Sequence, residues 1–126
     1  CKCNTTAEQE ALITQIFGSL GRVLFIPECK MAAGTALASC GIAYVFKYIQ
    51  ASIQAGIELG LTAQESRALT LQTIIGATTI LNEHGQHPAT EIEKVCTPGG
   101  ITIKGINQLE HDGFTSAIIK AMKVSM

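Results

Sequence analysis

The chain has 126 residues, which is enough for one compact domain or for a domain with a tail. Hydrophobic residues make up 47% of it, too many for a disordered chain. Only 15% are charged, so we expect a partner to cover part of the apolar surface. The net charge of -1 and the 5% of aromatic residues argue against a nucleic-acid-binding protein, which needs a basic surface and rings on which bases stack.

The cysteines and the apolar runs predict a soluble, cytoplasmic protein. The cysteines are odd in number and fit no disulfide or zinc-finger spacing, so we expect reduced and mostly buried thiols at Cys1, Cys3, Cys29, Cys40 and Cys96. The longest apolar run, Gly41 to Phe46, is too short to cross a membrane, and no signal peptide is visible. Because the chain begins with Cys1 and not with Met, we expect it to be a fragment of a longer protein.

The first 27 residues predict a helix followed by a strand. Thr6 to Gln9 fits a capping box, and apolar residues at helical spacing continue to Leu20, with Gly21 as the stop. The β-branched and aromatic run Arg22–Ile26 predicts the one strand of the chain. Because a lone strand leaves both edges unpaired, we expect its partners to lie in sequence that is missing here.

After Pro27 the pattern predicts helices only. A break or kink is expected at Cys40-Gly41. The helices are predicted over Glu28 to about Ser39, Ile42–Leu59, Thr62 to about His84, Pro88 to near Val95, Lys104 to about His111, and from Phe114 onwards. Small residues recur along them, and several helices are apolar nearly all round. We therefore predict that the helices interleave with a second copy of the chain, with a monomeric bundle as the alternative.

The most informative loop lies between two predicted helices, at Thr97 to Thr102. Gly99 and Gly100 permit positive φ and leave their amide groups unobstructed, and the hydroxyls of Thr97 and Thr102 add donors. Such a loop suits a carboxylate if it precedes a helix N-terminus. A turn that needs glycine only for its geometry explains the same residues equally well.

The other polar residues that stand close together in the sequence indicate neither a metal site nor a catalytic site. The group Glu83, His84, His87, Glu91 and Glu93 is interpreted as a solvated helix end, because His84-x-x-His87 spans Gly85 and the two rings need not share a face. Tyr44 and Tyr48 lie one helical turn apart and are interpreted as packing residues. We assign no catalytic residue and no metal site.

Several segments together resemble a known enzyme family. The sequence VCTPGGITI at 95–103, followed by L-E-x-x-G-F at 109–114, resembles the C-terminal signature of Δ1-pyrroline-5-carboxylate reductase. GTALASCGIAYVF at 34–46, AGIELGL at 55–61 and His87-Pro88 resemble further segments of that family, so the likeness covers essentially the whole chain. The chain departs from the family pattern at Cys40, Ile42, Gly85 and Ile101.

The resemblance implies a fold and an activity. Residues 1–27 would close an N-terminal Rossmann domain whose glycine-rich fingerprint lies upstream, and residues 28–126 would form an all-α, interlocking domain for homodimerisation and substrate binding. The implied reaction is the NADPH- or NADH-dependent reduction of 1-pyrroline-5-carboxylate to L-proline in proline biosynthesis, which the fragment does not perform alone. The choice of nucleotide and any assembly beyond the dimer stay open.

The resemblance also implies site residues. It assigns the substrate carboxylate to Thr97, Gly99, Gly100, Ile101 and Thr102, and it places Thr35, Cys40 and Gly41 near the cofactor. Two alternatives remain: a non-catalytic helical dimerisation module that keeps the fold, and the helical domain of another Rossmann oxidoreductase such as a hydroxyacid dehydrogenase. The second alternative would lack the P-G-G-x-T loop, and a complete upstream Rossmann domain would exclude the first.

Overall fold

The computed structural model describes residues 5–126, and within them every regular element is a helix. Cys1 and Cys3 lie outside the described residues. The all-α fold is therefore confirmed. Helix α1 spans Ala7–Gly18 and begins at the predicted capping box, in which the Thr6 hydroxyl accepts from the Gln9 N–H and the Gln9 side chain accepts from the Thr6 N–H. It ends three residues before Gly21.

The strand predicted over Arg22–Ile26 is wrong for the part of the chain that the structure describes. Residues 22–27 run without regular structure between α1 and the next helix. A strand exists only through hydrogen bonds to a neighbouring strand, and none of the described residues supplies one. The β-branched and aromatic residues favour an extended backbone, but without a neighbouring strand they form no sheet.

One helical run extends from Glu28 to Glu58 and continues through Cys40-Gly41, where the sequence predicts a break or kink. It begins with a 3₁₀ turn at Glu28–Lys30, continues as α2 (Met31–Thr35), passes through a π-helical turn at Ala36–Cys40 and ends as α3 (Gly41–Glu58). A π turn takes one residue more than an α turn and lets the helix go on. The helix therefore does not break at Cys40-Gly41, and the irregularity at this position is a π turn that ends at Cys40.

Helix α4, Ala63–His84, agrees with its prediction at both ends. The Thr62 hydroxyl accepts from the Glu65 N–H while the Glu65 carboxylate accepts from the Thr62 N–H, which completes the second capping box. Gly85 ends the helix in the left-handed conformation, at φ 63°, where a Cβ would be strained.

The last three helices are α5 (Pro88–Val95), α6 (Ile101–His111) and α7 (Phe114–Val124). The bounds of α5 and the start of α7 are as predicted. Helix α6 begins at Ile101 and not near Lys104, so the loop before it is shorter than expected.

The helices form two compact units, one holding the chain up to Gly41 with Met122–Met126, and the other holding Ile42–Ala121. In the first unit Ala36 is buried, and a Cβ on Gly41 would stand 3.7 Å from the Met122 methyl carbon. In the second unit the Tyr44 hydroxyl donates to the Ala121 carbonyl over 3.3 Å. Tyr44 is thus a packing residue that ties α3 to α7.

A close contact joins α3 to α4 in the second unit. A Cβ built on Gly56 would stand 2.6 Å from the Ser66 hydroxyl oxygen and 2.9 Å from the Ser66 Cβ. Ser66 is only 2% exposed, and its hydroxyl has no hydrogen-bond partner in the described part of the chain. The two backbones approach this closely because one of the facing residues has no side chain.

Little apolar surface is buried within one copy. Ala36 is the single buried apolar residue among those described, whereas Phe46 is 61% exposed and Leu69 is 58% exposed. The run Glu28–Glu58 contains an 18-residue window with a mean hydropathy of 1.3, of which 11% is buried, so the run is long and apolar enough to cross a membrane. Helices in an interface between protein chains have the same composition, so this observation is weak evidence for a membrane.

The cysteines differ from their prediction. Among the described residues Cys29 is exposed and Cys40 and Cys96 are half-buried, and all three are free thiols. The expectation of mostly buried thiols is wrong for a single copy, because so few positions in it are enclosed.

Candidate functional site: a loop before an uncapped helix

The loop between α5 and α6 is a tight turn held by its own backbone. The Cys96 N–H donates to the Glu93 carbonyl over 3.1 Å as α5 ends, and the Gly100 N–H donates to the Thr97 carbonyl over 2.9 Å. Gly99 lies between them at φ +72°, in the left-handed region that favours glycine. The turn requires Gly99 for its conformation.

Gly100 is required for a different reason. A Cβ at this position would stand 2.5 Å from the Thr97 hydroxyl oxygen and 2.9 Å from the Thr97 carbonyl oxygen, which is too close for any side chain without a shift of the turn. Gly100 is also the N-cap of α6, where it offers no side chain to the helix. The pair Gly99-Gly100 therefore allows the turn to close and leaves the N-terminus of α6 without a side-chain cap.

The donors of this site are displaced by one residue from the predicted ones. The Gly100 N–H is already bonded to Thr97, so it is not an open donor. The N–H groups of the first turn of α6, on Ile101, Thr102 and Ile103, have no acceptor within their own helix and receive no side-chain cap. The early start of α6 thus places Ile101 and Thr102 in the helix, with their amide groups at its N-terminus.

These amides and the helix dipole favour an anion. Partial positive charge accumulates at a helix N-terminus and stabilises negative charge by about 0.3–1 kcal/mol when exposed. Ile101 is 86% exposed and Thr102 is also exposed, so the end of the helix is open to a ligand. The arrangement suits a carboxylate that approaches the first turn of α6.

Thr35, Cys40 and Gly41 belong to the other compact unit, and each is described here within that unit. Thr35 and Cys40 are separated by one π turn, and the Thr35 hydroxyl donates to the Met31 carbonyl over 3.0 Å. Thr35 lines an apolar groove of about 600 Å³ whose other walls include Leu24, Ile26, Met31, Leu37 and Ser39. Gly41 is buried within this unit.

The charged residues near His84 form an ion-pair cluster. The Glu91 carboxylate lies 2.7 Å from the Lys94 ammonium and 3.6 Å from the His84 ring. The hydrogen bond from Lys94 is the main reason why the pKa of Glu91 lies below its ordinary value. No three His, Cys, Asp or Glu side chains converge within residues 5–126 as a metal site would require.

Sequence reasoning missed the role of His87. Its Nδ1 atom accepts from the Ala89 N–H over 3.2 Å, so the ring is the N-cap of α5. The signal was present, because Pro88 favours the first helical position and the residue before it is then the N-cap.

Residues 28–126 match the family described as pyrroline-5-carboxylate reductase dimerisation. This chain belongs to that family. The resemblance found in the sequence is thereby confirmed.

Two relatives of this chain come from one organism. Pyrroline-5-carboxylate reductase 1 of Dictyostelium discoideum is 44% identical over 111 residues, which cover 88% of this chain and 20% of the relative. Pyrroline-5-carboxylate reductase 2 of the same organism is 40% identical over 121 residues, 94% of this chain and 40% of the relative. This chain thus spans less than half the length of these relatives.

A solved structure shows the same fold. The pyrroline carboxylate reductase of Plasmodium falciparum, solved with NADP bound, matches 97% of this chain and 48% of its own with a TM-score of 0.91 at 32% identity. The reductase of Streptococcus pyogenes matches 96% of this chain and 47% of its own, also with a TM-score of 0.91, at 29% identity.

Proposed function

We propose that this chain forms the dimerisation and substrate-carboxylate-binding part of a pyrroline-5-carboxylate reductase. The observation that carries the proposal is the uncapped N-terminus of α6 behind the Thr97–Gly100 turn, in a chain of the dimerisation family. The reaction reduces the C=N bond of 1-pyrroline-5-carboxylate to L-proline, with a hydride from NADPH or NADH and a proton. We place the protein in the cytoplasm, as the sequence predicts.

The described residues do not fit a whole dinucleotide. A pyrophosphate needs clustered backbone amides at a glycine-rich turn or several cations, whereas the groove beside Thr35 is lined mainly by aliphatic side chains and has Lys30 as its one charged residue. We therefore assign no step of hydride transfer to this chain. Thr35 and Cys40 are proposed to lie near the cofactor only as neighbours of a nucleotide that another domain holds.

The chain's own contribution is to orient the substrate. The first-turn amides of α6 would hold the carboxylate at one end of the ring, and the Thr102 hydroxyl would add a hydrogen bond. Fixing the carboxylate fixes the position of the imine carbon relative to the hydride donor. No acidic or nucleophilic side chain of this chain is required for that role.

The test measures steady-state kinetics in a chimera that joins this chain to the N-terminal half of Dictyostelium reductase 2. Thr102→Val keeps the shape and removes one hydrogen bond, a loss of about 0.5–3 kcal/mol depending on the charge of the partner. We expect a higher KM for pyrroline-5-carboxylate and an unchanged KM for the nucleotide. Thr14→Val, which removes a hydroxyl from α1, is the matched control and should change neither value.

A non-catalytic dimerisation module is the second candidate. It is favoured by Ile101, a large side chain at the first position of α6 that is 86% exposed beside the proposed carboxylate site. A chimera that dimerises and binds nucleotide but reduces no pyrroline-5-carboxylate, and that gains activity with Ile101→Ala, would support this candidate. Unaltered substrate kinetics in Thr102→Val would show that the loop is only a turn.

A further inference from the structure

The corner between α4 and α5 holds two of the three histidines of the chain, at opposite ends of two helices. His84 lies in the last turn of α4, His87 is the N-cap of α5, and the left-handed Gly85 turns the chain between them. Negative partial charge accumulates at the C-terminus of a helix and positive partial charge at its N-terminus. A positive charge on His84 therefore stabilises the end of α4, whereas a positive charge on His87 destabilises the start of α5.

His87 caps α5 only while its ring is neutral. Its Nδ1 atom accepts from the Ala89 N–H over 3.2 Å, so the neutral ring carries its hydrogen on Nε2. A protonated imidazole has a hydrogen on both nitrogens and accepts no hydrogen bond. The first turn also depends on the His87 backbone, because the Thr90 and Glu91 N–H groups donate to its carbonyl over 2.9 Å and 3.4 Å. Protonation of the ring thus removes the side-chain acceptor that holds this turn.

His84 meets α5 further along, at Glu91. Its Nδ1 atom lies 3.6 Å from the Glu91 carboxylate, which is also bonded to the Lys94 ammonium over 2.7 Å. The hydrogen bond from Lys94 lowers the pKa of Glu91, so the carboxylate is ionised throughout the range of about pH 5–8 in which histidines change charge. The Glu91 side chain is only 17% exposed, which limits screening by water. A proton on His84 therefore turns this contact into an ion pair between α4 and α5.

No further charged side chain is paired with either ring in the part of the chain that the structure describes. Glu83 on α4 and Glu93 on α5 are close in sequence, and neither forms an ion pair with a histidine. The two helices otherwise line a shared groove with apolar side chains, among them Leu81, Pro88 and Ile92. The two rings and the carboxylate with its ammonium partner therefore determine how this corner responds to pH.

We infer that the α4–α5 corner is a pH-sensitive joint in which protonation has opposite effects on two parts of α5. A proton on His87 releases the first turn of the helix, and a proton on His84 fastens the middle of the helix to α4 through Glu91. In acid, α5 is held at Glu91 and loosened at Pro88. With both rings neutral it is capped at Pro88 and lacks the ion pair. The inference goes beyond the proposed function and does not rest on it.

The test is an NMR titration of the isotope-labelled chain between about pH 8 and about pH 5. The ring nitrogen shifts report the protonation of each histidine, and amide exchange, corrected for its intrinsic pH dependence, reports the first turn of α5. We expect the neutral His87 ring to carry its hydrogen on Nε2. As that ring takes up a proton, the protection of the Ala89 and Glu91 amides should fall by roughly twofold to thirtyfold, the range expected for the loss of a helix cap. Protection that stays constant while His87 titrates, or a neutral ring with its hydrogen on Nδ1, would overturn the inference.

Three substitutions separate the two effects. His87→Asn keeps an acceptor at the N-cap and has no titratable ring, so the fall in protection should disappear. His84→Gln keeps a polar side chain without the charge, so the fall should be larger than in the wild type because no ion pair offsets it. His111→Asn, at the last residue of α6, is the matched control and should leave the titration of α5 unchanged.

Each half of the inference has its own contradicting result. A fall in protection that persists in His87→Asn would assign it to another group. A fall of the same size in His84→Gln and the wild type would show that the two histidines do not act in opposite directions, and would equally overturn the joint. None of these measurements involves substrate or nucleotide, so either result would leave the proposed reductase function untouched.

Discussion

The contact between Gly56 and Ser66 limits which substitutions either position tolerates. A methyl group on Gly56 would stand 2.6 Å from the Ser66 hydroxyl oxygen and 2.9 Å from its Cβ, and the Cβ is fixed by the backbone of α4. We expect Gly56→Ala to lower the free energy of unfolding by about 1–3 kcal/mol, although alanine favours helices, because α3 and α4 must move apart.

Gly34→Ala is the matched control for that prediction. The added methyl group would stand 2.8 Å from the Ile26 Cδ1 atom, which is the far end of a flexible side chain. Urea denaturation should therefore find Gly34→Ala as stable as the wild type or more stable. Equal stability of the two variants would mean that the α3–α4 contact is loose in solution.

Glu65 gives the second prediction at the scale of single residues. A hydrogen bond from the Thr62 hydroxyl, and then one from the Thr62 N–H, lower the pKa of Glu65 from its ordinary value of 4.5. A carboxyl whose pKa is lowered by folding stabilises the fold above its unfolded pKa and loses that contribution as the pH falls through the folded pKa. We expect the stability difference between wild type and Glu65→Gln to shrink as the pH falls below about 4.5.

Thr62→Val removes the hydroxyl that makes the larger of the two hydrogen bonds to Glu65. Its unfolding free energy, measured by urea denaturation between neutral and acid pH, should show a weaker loss in acid than that of the wild type. If the unfolding free energy depends on pH in the same way in wild type and both variants, the dependence comes from other carboxyls. Glu91 is one of these, because its pKa is also lowered.

At the scale of elements, α5 depends on its first cap. The helix has only eight residues, and isolated helices of that length are marginal in water. His87 provides the N-cap acceptor through Nδ1, so His87→Ala should destabilise the protein by about 0.5–2 kcal/mol. His87→Asn keeps a side-chain acceptor at the N-cap and should restore most of the loss in the same denaturation experiment.

The elements that could be predicted are those fixed by local chemistry. The capping boxes at Thr6 and Thr62, the left-handed Gly85 and the proline at position 88 act over three or four residues, and all four positions agree with the structure. The start of α6 was misplaced because the N-cap is a glycine, which carries no side-chain signal.

The errors concern interactions that a local pattern does not contain. Arg22–Ile26 has the composition of a strand, but a strand depends on a neighbour. The π turn at Ala36–Cys40 preserves helix continuity where Cys40-Gly41 suggested a break or kink. At the candidate site, the sequence identified the glycines. It did not predict the hydrogen bond from the Gly100 N–H to the Thr97 carbonyl, because that bond depends on the geometry of the turn. This bond leaves the open donors at Ile101–Ile103.

At the scale of the whole molecule, we expect stability to be uneven along the chain. In α1, Leu12, Ile16 and Phe17 are each more than half exposed, and residues 22–27 have no regular structure. Segments with few buried apolar contacts open at low free energy. Amide hydrogen exchange should therefore be faster over residues 5–27 than over α4 in the paired protein.

From the sequence alone we expect residues 1–27 as a whole to be the least stable part of the chain, and residues 1–4 lie outside the described residues. Protection of α1 equal to that of α4 would contradict the prediction. Protection that appears only when an N-terminal Rossmann half is fused to the chain would instead show what normally covers α1.

The π turn has a consequence for how this chain tolerates changes in length. Because an i to i+5 turn contains one residue more than an α turn, deleting one residue between Ala36 and Cys40 would leave a continuous α-helix with α3 in nearly the same rotational register. The same deletion inside α4 would rotate every later side chain by about 100°. Deletions of a single residue among natural variants of this chain should therefore be accepted at the π turn and rejected within α4.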